Sequence, residues 1–585
     1  MKRLLPLLIF ILTLNTAISR DSNRTVRLLQ TTDVHGNFFP YNFITRKPWE
    51  GSMARVATYV DFVRQSAGRD KVVLLDNGDI LQGQPTVYYY NYIDTLSPHI
   101  AAEIYRFLEY DAATIGNHDI ETGHEVYDRF ISQSPCPVMG ANVIDVTTGQ
   151  PYLKPYTVID RGGVRIAVLG LLTPAIPAWL PENLWSGLQF EDMVEAAAKW
   201  VPVILEKEKP DVMVGLFHSG HDANTRTAGF LENASEEIAR RVAGFDIVVM
   251  GHDHQRYNKL ITGPDGRQIV VINPANNANH IADITITVSK DSKGNVLDKQ
   301  ITGVVVPIGN LHPDSAFMGR FASEANAVGD FVSRKIGTAT GDFSTRESFF
   351  GPSAFMTLLH RLQMEIADAE ISFAAPLSFD AQIDAGDIRV SDMFTLYKYE
   401  NLLYTMELTG REIKDYLEMV YDLWTNQVDP EATDQHMIRF ESADPRSGDN
   451  RLKYPTYNFD SAAGIKYTVD LTKPKGEKIT ILSMADGTPF DAGRHYRVAV
   501  NSYRGNGGGD LLTKGAGIPR SELKNRIVAA TDKDLRYYLL KTIEKKGVIE
   551  PEIDHNWKFI PEEIASEAAS RDSVLLFSGS TSHQK

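Results

Sequence analysis

Cysteine is almost absent from this chain of 585 residues, which contains only Cys136. A single cysteine excludes an intramolecular disulfide bond and a metal site built from several thiolates. Any metal ion bound by this protein therefore needs histidine, carboxylate or amide ligands. The chain also lacks a Gly-x-Ser-x-Gly nucleophile elbow, so hydrolysis through a serine of that type is not indicated.

Runs of lysine and arginine are also lacking. The net charge is −15, and the isoelectric point is near 5.5. Binding to duplex DNA or RNA depends on a basic surface, so we exclude a nucleic-acid duplex as a partner. An anionic small substrate remains compatible with this charge, because bound cations can supply local positive charge.

The amino terminus has an apolar run at residues 4–14, preceded by Lys2 and Arg3 and followed by small residues near Ser19. The run is shorter than the roughly 20 residues of a membrane-spanning helix. The pattern is typical of a secretory signal peptide, here residues 1–19. A membrane anchor is the alternative, but no cysteine follows the run to accept a lipid. We therefore predict export to a bacterial periplasm without a stable membrane anchor.

Length and composition are those of an ordinary globular protein, with 43% hydrophobic and 23% charged residues. At about 150 residues per domain there is room for roughly four units, and two larger domains are equally compatible.

Apolar runs alternate with amphipathic stretches in the first half, which predicts an α/β fold. The predicted strands are 26–29, 72–75, 112–115, 164–171, 212–217 and 247–250; the predicted helices are 53–63, 98–108 after the cap Ser97, 193–207 and 238–242.

The second half has a similar alternation after a connecting segment. Residues 315–336 have helical apolar spacing and no proline, so we predict an interdomain helix within 313–340. A capping box from Thr409 to Glu412 predicts a helix ending near Trp424, and Thr531 is predicted to cap a helix that stops at Gly547. The predicted strands are 467–470, 479–482, 496–500 and 574–577. These elements predict domains at 22–312 and 341–578, with a tail at 579–585.

Metal-capable side chains follow five of the predicted strands of the first half. Each motif alone is also compatible with a turn or a satisfied polar pair, but five in series favour a site at the sheet edge. The donors suit two borderline divalent ions such as Zn, Mn, Fe or Co, with Asp79 shared between them. Such a pair hydrolyses phosphoesters without a protein nucleophile. The series is Asp33-x-His35, Asp79, Asn117-His118, His218 and His252-x-His254, while His221, Asp222, Asp253 and His280 are expected to have supporting or structural roles.

In order and spacing, this series resembles the motifs of the calcineurin-like metallophosphoesterases. The resemblance implies a four-layer αββα sandwich that binds two ions. It implies that His118 protonates or polarises the leaving oxygen. By the same resemblance, one ion is held by Asp33, His35, Asp79 and His254, and the other by Asp79, Asn117, His218 and His252.

The resemblance extends to the two-domain periplasmic nucleotidases, whose second α/β domain binds the base and rotates about the linking helix. Four stretches look closer to the 2',3'-cyclic-nucleotide 2'-phosphodiesterase/3'-nucleotidase branch than to the 5'-nucleotidase branch, namely 76–83, 396–401, 457–467 and 501–508. Carried over by position, Tyr399 and Tyr503 would sandwich the base while Asn401 reads its edge. Stacking between two aromatic rings accepts any base. The alternative is that both tyrosines are ordinary core or surface residues.

Two departures from the 5'-nucleotidase pattern are informative. That branch has a Gly-Gly-Gly-Ile-Arg stretch, whereas this chain reads Ala-Pro-Leu-Ser-Phe-Asp at 375–380. The phosphate-binding arginine is therefore missing there, and Arg346 does not match its spacing. Glu121 stands where the two branches have aspartate or asparagine, and we expect it to orient His118.

We therefore predict an enzyme that opens 2',3'-cyclic nucleotides and then removes the 3'-phosphate, acting as a monomer in nucleotide salvage. A 5'-nucleotidase is the alternative. A hypothesis of another class is a nucleotide-binding protein without catalysis, although all seven ligand positions are filled.

Overall fold

The first sheet is built around the strand Ser22–Thr31, whose residues Val26 and Leu28 are fully buried. This computed structural model describes residues 22–227, 229–444 and 449–577, so the predicted signal peptide and the tail lie outside the described residues. Ser22–Thr31 runs parallel to the strand that follows it in the sheet, and the next two are parallel as well. Within the described residues the strand order is Val296–Pro307, His280–Lys290, Ser22–Thr31, Val72–Asp76, Ala112–Thr114 and Val138–Met139.

A second sheet packs against the first. Its four central strands run parallel to one another, and an antiparallel strand closes each edge. In the part of the chain that the structure covers, its order is Arg256–Thr262, Gln268–Pro274, Ile247–Met250, Val212–His218, Val164–Leu172 and Tyr156–Arg161.

Apolar side chains from both sheets fill the space between them, including Val73 and Leu75 from one sheet and Val214 and Val249 from the other. Each such side chain contributes about 1.5–3 kcal/mol when fully buried. The outer faces are covered by Met53–Ala67, Ile100–Leu108 and His124–Gln133 on one side, and by Met193–Glu208 and Ser235–Arg241 on the other. The four-layer αββα arrangement implied by the resemblance is thus confirmed.

The connecting segment differs from the single helix predicted within 313–340. It contains two helices, Ser315–Arg320 and Ala322–Ser333, followed by the strand Lys335–Ala339. The helix breaks at Phe321, whose buried ring packs 4.8 Å from the ring of Phe317. The strand pairs with Gly386–Arg389 and Val548–Ile549, so its residues belong to the second domain.

The second domain contains a five-stranded sheet covered by helices. Among the described residues the strand order is Ser461–Ala463, Ile371–Ala374, His495–Asn501, Leu403–Thr409 and Ile527–Ala530. A smaller sheet has the order Ile479–Met484, Ile465–Asp470 and Trp557–Ile560. The main helices are Ala354–Ala367, Val390–Leu396, Gly410–Trp424, Leu535–Lys546 and Glu562–Phe577.

Other predictions of elements and their ends were wrong. Residues 574–577, predicted as a strand, form the last turn of the helix Glu562–Phe577, because its buried positions are spaced three and four residues apart: Ala565, Ala568, Asp572 and Leu576. The predicted helix at 98–108 begins at Ile100 and is capped by His99. The helix before Gly547 is capped by Asp534, while the hydroxyl of Thr531 accepts the backbone N–H of Leu403.

Among the residues that the structure describes, no helix has both the length and the apolarity needed to cross a bilayer.

Candidate metal centre

The seven predicted ligands meet where parallel strands of the two sheets end. Asp33 and His35 follow Ser22–Thr31, Asp79 follows Val72–Asp76, and Asn117 follows Ala112–Thr114. In the second sheet, His218 is the last residue of Val212–His218, and His252 and His254 follow Ile247–Met250. Because the carboxyl ends of parallel strands share one edge, residues distant in sequence are brought together.

Five of these seven residues have a left-handed backbone conformation. Their φ angles are 49° at Asp33, 50° at His35, 55° at Asp79, 75° at His252 and 58° at His254. Such conformations cost of order 1–3 kcal/mol each in residues other than glycine, and they cluster at functional sites. The fold thus holds the ligands in place at the expense of stability.

One group of ligand atoms lies around Asp33. The Nε2 atoms of His35 and His254 are 3.0 Å apart, and His254 Nε2 is 3.3 Å from Asp33 Oδ1. All three side chains offer an atom within 4.8 Å of the others. Two imidazole nitrogens and a carboxylate oxygen that converge in this way fit a divalent cation.

A second group lies beside it. Asn117 Oδ1 is 3.1 Å from His218 Nε2 and 2.8 Å from His252 Nδ1, while His218 Nε2 is 3.1 Å from Asp79 Oδ2. That oxygen of Asp79 is buried and, apart from this contact with His218, has no hydrogen-bond partner among the described residues. Asp33 and Asp79 also lie within 4.8 Å of the ligand atom of His218. The donor set therefore fits a second cation, with carboxylates at the centre.

Hydrogen bonds at the outer ring nitrogens orient three of the histidines. His218 Nδ1–H donates to the carbonyl oxygen of Asn77 at 2.6 Å, and His35 Nδ1–H donates to that of Gln82 at 3.1 Å. His252 Nε2–H donates to Glu232 at 3.0 Å. Each contact leaves the inward-facing nitrogen with a free lone pair, as a metal ligand requires.

The electrostatics of the site favour cations. Burial opposes ionisation of Asp33, but His254 and His218 outweigh it and lower the pKa of Asp33 to about 2. Asp79 is likewise buried, and His218 and His118 hold its pKa well below the usual range. Both carboxylates therefore carry negative charge at neutral pH.

His118 lies at the rim of the site with its predicted partner. Its Nδ1 is 2.6 Å from Glu121 Oε2, and its backbone N–H donates to Asp79 Oδ1 at 2.8 Å. Burial lowers the pKa of His118, but Asp79 and Glu121 more than compensate and raise it to about 9. With Nδ1 held by Glu121, Nε2 is the nitrogen able to give a proton to a substrate. The catalytic roles of His118 and Glu121 stay predictions.

Sequence reasoning missed two residues that support this site. Asp119 accepts backbone N–H bonds from Asp79, Gly116, Ile80 and Leu81 at 2.7–2.9 Å. Its place three residues after Gly116 was the available signal, because an acidic residue there caps a helix. Glu232, which holds His252, lies 20 residues earlier in a loop and carries no local signal.

Two glycines allow the ligand loops to approach closely. A Cβ on Gly116 would lie 2.1 Å from Asp79 Oδ1, and one on Gly251 would lie 2.2 Å from Thr32 Oγ1. Any larger residue would displace these loops, so the glycines in the two motifs have a packing role.

The predicted base-binding residues come from two loops of the second domain. The half-buried ring of Tyr503 lies against Gly508 and meets the ring of Tyr457 edge-on, with centres 6.2 Å apart. Burial, together with the charges of Tyr457 and Glu121, raises the pKa of Tyr399. Asn401 is buried, and its Nδ2 lies 3.5 Å from the hydroxyl of Tyr397. The substrate-binding roles of Tyr399, Asn401 and Tyr503 stay predictions.

Arg504 joins the stretch that contains Tyr457 to the stretch that contains Tyr503. Its guanidinium makes two bonds to Asp460, of 3.0 and 3.1 Å, and others to the Tyr457 carbonyl, Asn458 and the Gly508 carbonyl. Because Arg504 is buried and engaged in this way, its guanidinium holds the Tyr457 and Tyr503 stretches together and is not free to bind a phosphate.

Comparison with known proteins identifies both domains. The family model described as calcineurin-like phosphoesterase matches residues 26–256, and the model described as 5'-nucleotidase, C-terminal domain matches residues 335–514. The chain is 27% identical to the trifunctional nucleotide phosphoesterase protein YfkN of Bacillus subtilis, over 91% of this chain but only 39% of that relative. It is 26% identical to a 2',3'-cyclic-nucleotide 2'-phosphodiesterase/3'-nucleotidase of Yersinia enterocolitica, over 95% of this chain and 91% of the other.

A solved structure supports the fold. The putative 5'-nucleotidase from Staphylococcus aureus, in complex with alpha-ketoglutarate, aligns with a TM-score of 0.74. The alignment covers 92% of this chain and 99% of the other, at 20% sequence identity. The likeness extends over both domains.

Proposed function

Because this chain belongs to the calcineurin-like phosphoesterases that carry a 5'-nucleotidase C-terminal domain, and is a metal-dependent hydrolase of nucleotide phosphoesters, we propose that it acts on 2',3'-cyclic nucleotides. It opens the cyclic phosphate to a 3'-nucleotide and then removes the 3'-phosphate. We further propose that it does so in the periplasm, in keeping with the apolar run at residues 4–14. We also propose that it acts as a monomer.

The observation that carries the choice of substrate is the engagement of Arg346. This residue donates to both carboxylate oxygens of Asp380, at 2.6 and 2.8 Å, and its guanidinium carbon lies 5.0 Å from the ring centre of Phe577. In this structure the donors of Arg346 are paired with Asp380, so Arg346 does not stand in for the phosphate-binding arginine missing from residues 375–380. This favours the cyclic and 3'-phosphate substrates over 5'-monophosphates.

Metal ions fit the site described above. Asp33, His35 and His254 would hold one ion, and Asn117, His218 and His252 the other, with Asp79 between them. When bound, the two ions would neutralise phosphoryl oxygens and lower the pKa of a water molecule. The donor set suits Zn, Mn, Fe or Co.

The protein's own acid completes the reaction. When water attacks phosphorus in the cyclic substrate, the bond to the 2'-oxygen breaks, and His118 gives that oxygen the proton it needs. His118 then regains a proton from solvent. In the second step another water molecule attacks phosphorus, the bond to the 3'-oxygen breaks, and a proton from His118 yields the free 3'-hydroxyl and inorganic phosphate. The 2.6 Å contact with Glu121 supports this role, because it directs Nε2 of His118 towards the substrate side.

A substrate panel tests the proposal. We expect the metal-loaded protein to give a higher kcat/KM for cyclic 2',3'-AMP and 3'-AMP than for 5'-AMP. Dominant turnover of 5'-AMP would instead establish a 5'-nucleotidase. A metal-loaded sample that binds nucleotides but turns over no phosphoester would establish a binding protein.

A further inference from the structure

A short segment of the first domain covers the metal centre on the side of His252. It comprises the turn Ile176–Ala178 and Trp179, after the strand Val164–Leu172. The strand end is tied to the site, because Thr173 N–H donates to the carbonyl oxygen of His218 at 3.0 Å. The ring of Trp179 lies 5.7 Å from the ring of His252, tilted by 32°. The position of this segment is therefore linked to the metal ligands.

The loop of the second domain that contains Tyr503 bonds directly to this segment. Asn506 Nδ2 donates to the carbonyl oxygen of Trp179 at 3.3 Å. Arg520 lies behind the same loop and donates to the carbonyl oxygens of Asn506 at 2.9 Å and Gly507 at 3.3 Å. The same guanidinium nitrogen that contacts Asn506 lies 3.5 Å from the carbonyl oxygen of Ala178 in the first domain.

Arg520 is thus one side chain that contacts both the Tyr503 loop and the segment beside His252. Its fit is tight, because a Cβ on Gly507 would lie 2.8 Å from its Nη1. Gly507 precedes Gly508, against which the ring of Tyr503 rests. A shift of Arg520 would therefore move Tyr503 relative to the metal ligands.

We propose that Arg520 is a positioning residue that determines substrate specificity, by setting the distance between the Tyr503 loop and the metal centre. The inference rests on the proposed function. In a nucleotide, the 3'- and 5'-oxygens lie in different directions from the base. A base held at a fixed place beside the metals therefore presents only one of these phosphate positions for hydrolysis. Arg520 holds the loop where a 2',3'-cyclic or 3'-phosphate reaches the metals.

The test compares three substrates in the full-length, metal-loaded protein: cyclic 2',3'-AMP, 5'-AMP and p-nitrophenyl phosphate, which has no base. We expect Arg520→Ala to lower the ratio of kcat/KM for cyclic 2',3'-AMP to that for 5'-AMP by roughly tenfold, because it removes charge-assisted hydrogen bonds. Turnover of p-nitrophenyl phosphate should not change. Arg520→Lys, which retains the charge but not the planar fork, should restore part of the ratio.

Lys524→Ala is the matched control. Lys524 forms an exposed ion pair with Glu182, which also joins the two domains near this point but does not touch the loop carbonyls. Exposed pairs contribute little, so all three substrates should be turned over as by the wild type. An equal shift of the ratio in Lys524→Ala and Arg520→Ala would overturn the assignment to Arg520.

Asn506→Ala keeps the test decisive if Arg520→Ala fails to fold. It removes the side-chain bonds of Asn506 to the Trp179 carbonyl oxygen and to Tyr404 but keeps Arg520 in place, and we expect a smaller shift of the ratio in the same direction. An unchanged ratio in a folded Arg520→Ala protein, or in Asn506→Ala if the former does not fold, would overturn the inference while leaving the proposed function intact. A wild-type protein that turns over no nucleotide would overturn both.

Discussion

The carboxylate of Asp119 accepts the backbone N–H of Asp79 at 2.8 Å, and so the residue next to the predicted acid His118 fixes the backbone of the predicted central metal ligand. The same carboxylate accepts three further N–H bonds in the two ligand loops. It thereby holds together strand ends that are about 40 positions apart in sequence, as the bonds from Ile80 and Leu81 span 39 and 38 positions.

We therefore expect Asp119→Ala to lower the free energy of unfolding by roughly 3 kcal/mol, because buried N–H groups lose their acceptor. Metal content measured after dialysis should fall with it. Asp119→Asn retains one acceptor oxygen and should lose less of both. A stable Asp119→Ala protein with full metal content would contradict this role.

Removal of the metals should abolish activity and lower Tm. A chelator removes the cations that the two carboxylates and the imidazole nitrogens would share. Because a ligand that binds only the folded state stabilises it by mass action, loss of the metals should lower Tm. Asn117→Ala or His252→Ala should abolish turnover and reduce metal content in the same assay. The exposed His555 of the second domain offers a control, since His555→Ala should change neither quantity. Full activity in a metal-free sample would refute the two-ion site.

His118→Ala should lower kcat for 3'-AMP by roughly 10²–10⁴-fold, the usual contribution of a general acid. The loss on p-nitrophenyl phosphate should be much smaller, because nitrophenolate leaves without protonation. Glu121→Gln should give an intermediate loss on 3'-AMP alone. Equal losses on both substrates would show that His118 acts on something other than the leaving oxygen.

The sequence indicated which polar residues the fold brings together better than it indicated which residues hold them there. Polar residues at the ends of apolar strands are visible in sequence, and parallel strands carry them to one edge, so the meeting of the seven predicted ligands could be expected before the structure was known. Their role as metal ligands stays a prediction. Glu232 and Arg520 act through contacts between distant segments, and no local pattern marks them. The left-handed backbone at Asp33 and His252 was equally hidden, because it is imposed by packing.

The wrong element boundaries have a similar origin. Residues 574–577 are four apolar or small residues in a row, too few to distinguish a helical from an extended period. The break at Phe321 depends on where its ring packs, against Phe317 and Phe107, and helical spacing alone continues through it. In each case tertiary packing decided between alternatives that the local sequence left open.

Tyr503→Ala should raise KM for nucleotides by roughly tenfold, since base stacking contributes about 1–3 kcal/mol. Turnover of p-nitrophenyl phosphate should be unaffected, because that substrate has no base to stack. Tyr537→Ala, which removes an exposed tyrosine of the same domain, is the control and should leave both substrates unchanged. An equal loss on both substrates would contradict a division of labour between the domains.

Glu400 should make the stability of the protein depend on pH. It lies between Tyr399 and Asn401 and contacts the first domain, because Tyr92 Oη–H donates to its Oε2 at 3.0 Å. Burial raises its pKa to about 8; Arg536 opposes this shift, while Glu121 and Asp534 reinforce it. The folded state therefore retains a proton that the unfolded chain loses near pH 4.5. The stabilisation that Glu400 contributes to the folded state is complete below pH 4.5 and is lost as the pH rises through about 8.

Glu400→Gln cannot ionise, and it isolates this contribution. We expect the free energy of unfolding, measured by chemical denaturation, to fall less steeply between about pH 4.5 and 8 in the variant than in the wild type. The two proteins should be most alike at the acidic end, where Glu400 is protonated in both states of the wild type. Parallel curves over this range would mean that Glu400 remains ionised beside Arg536, and that the contact with Tyr92 joins the domains without a buried proton.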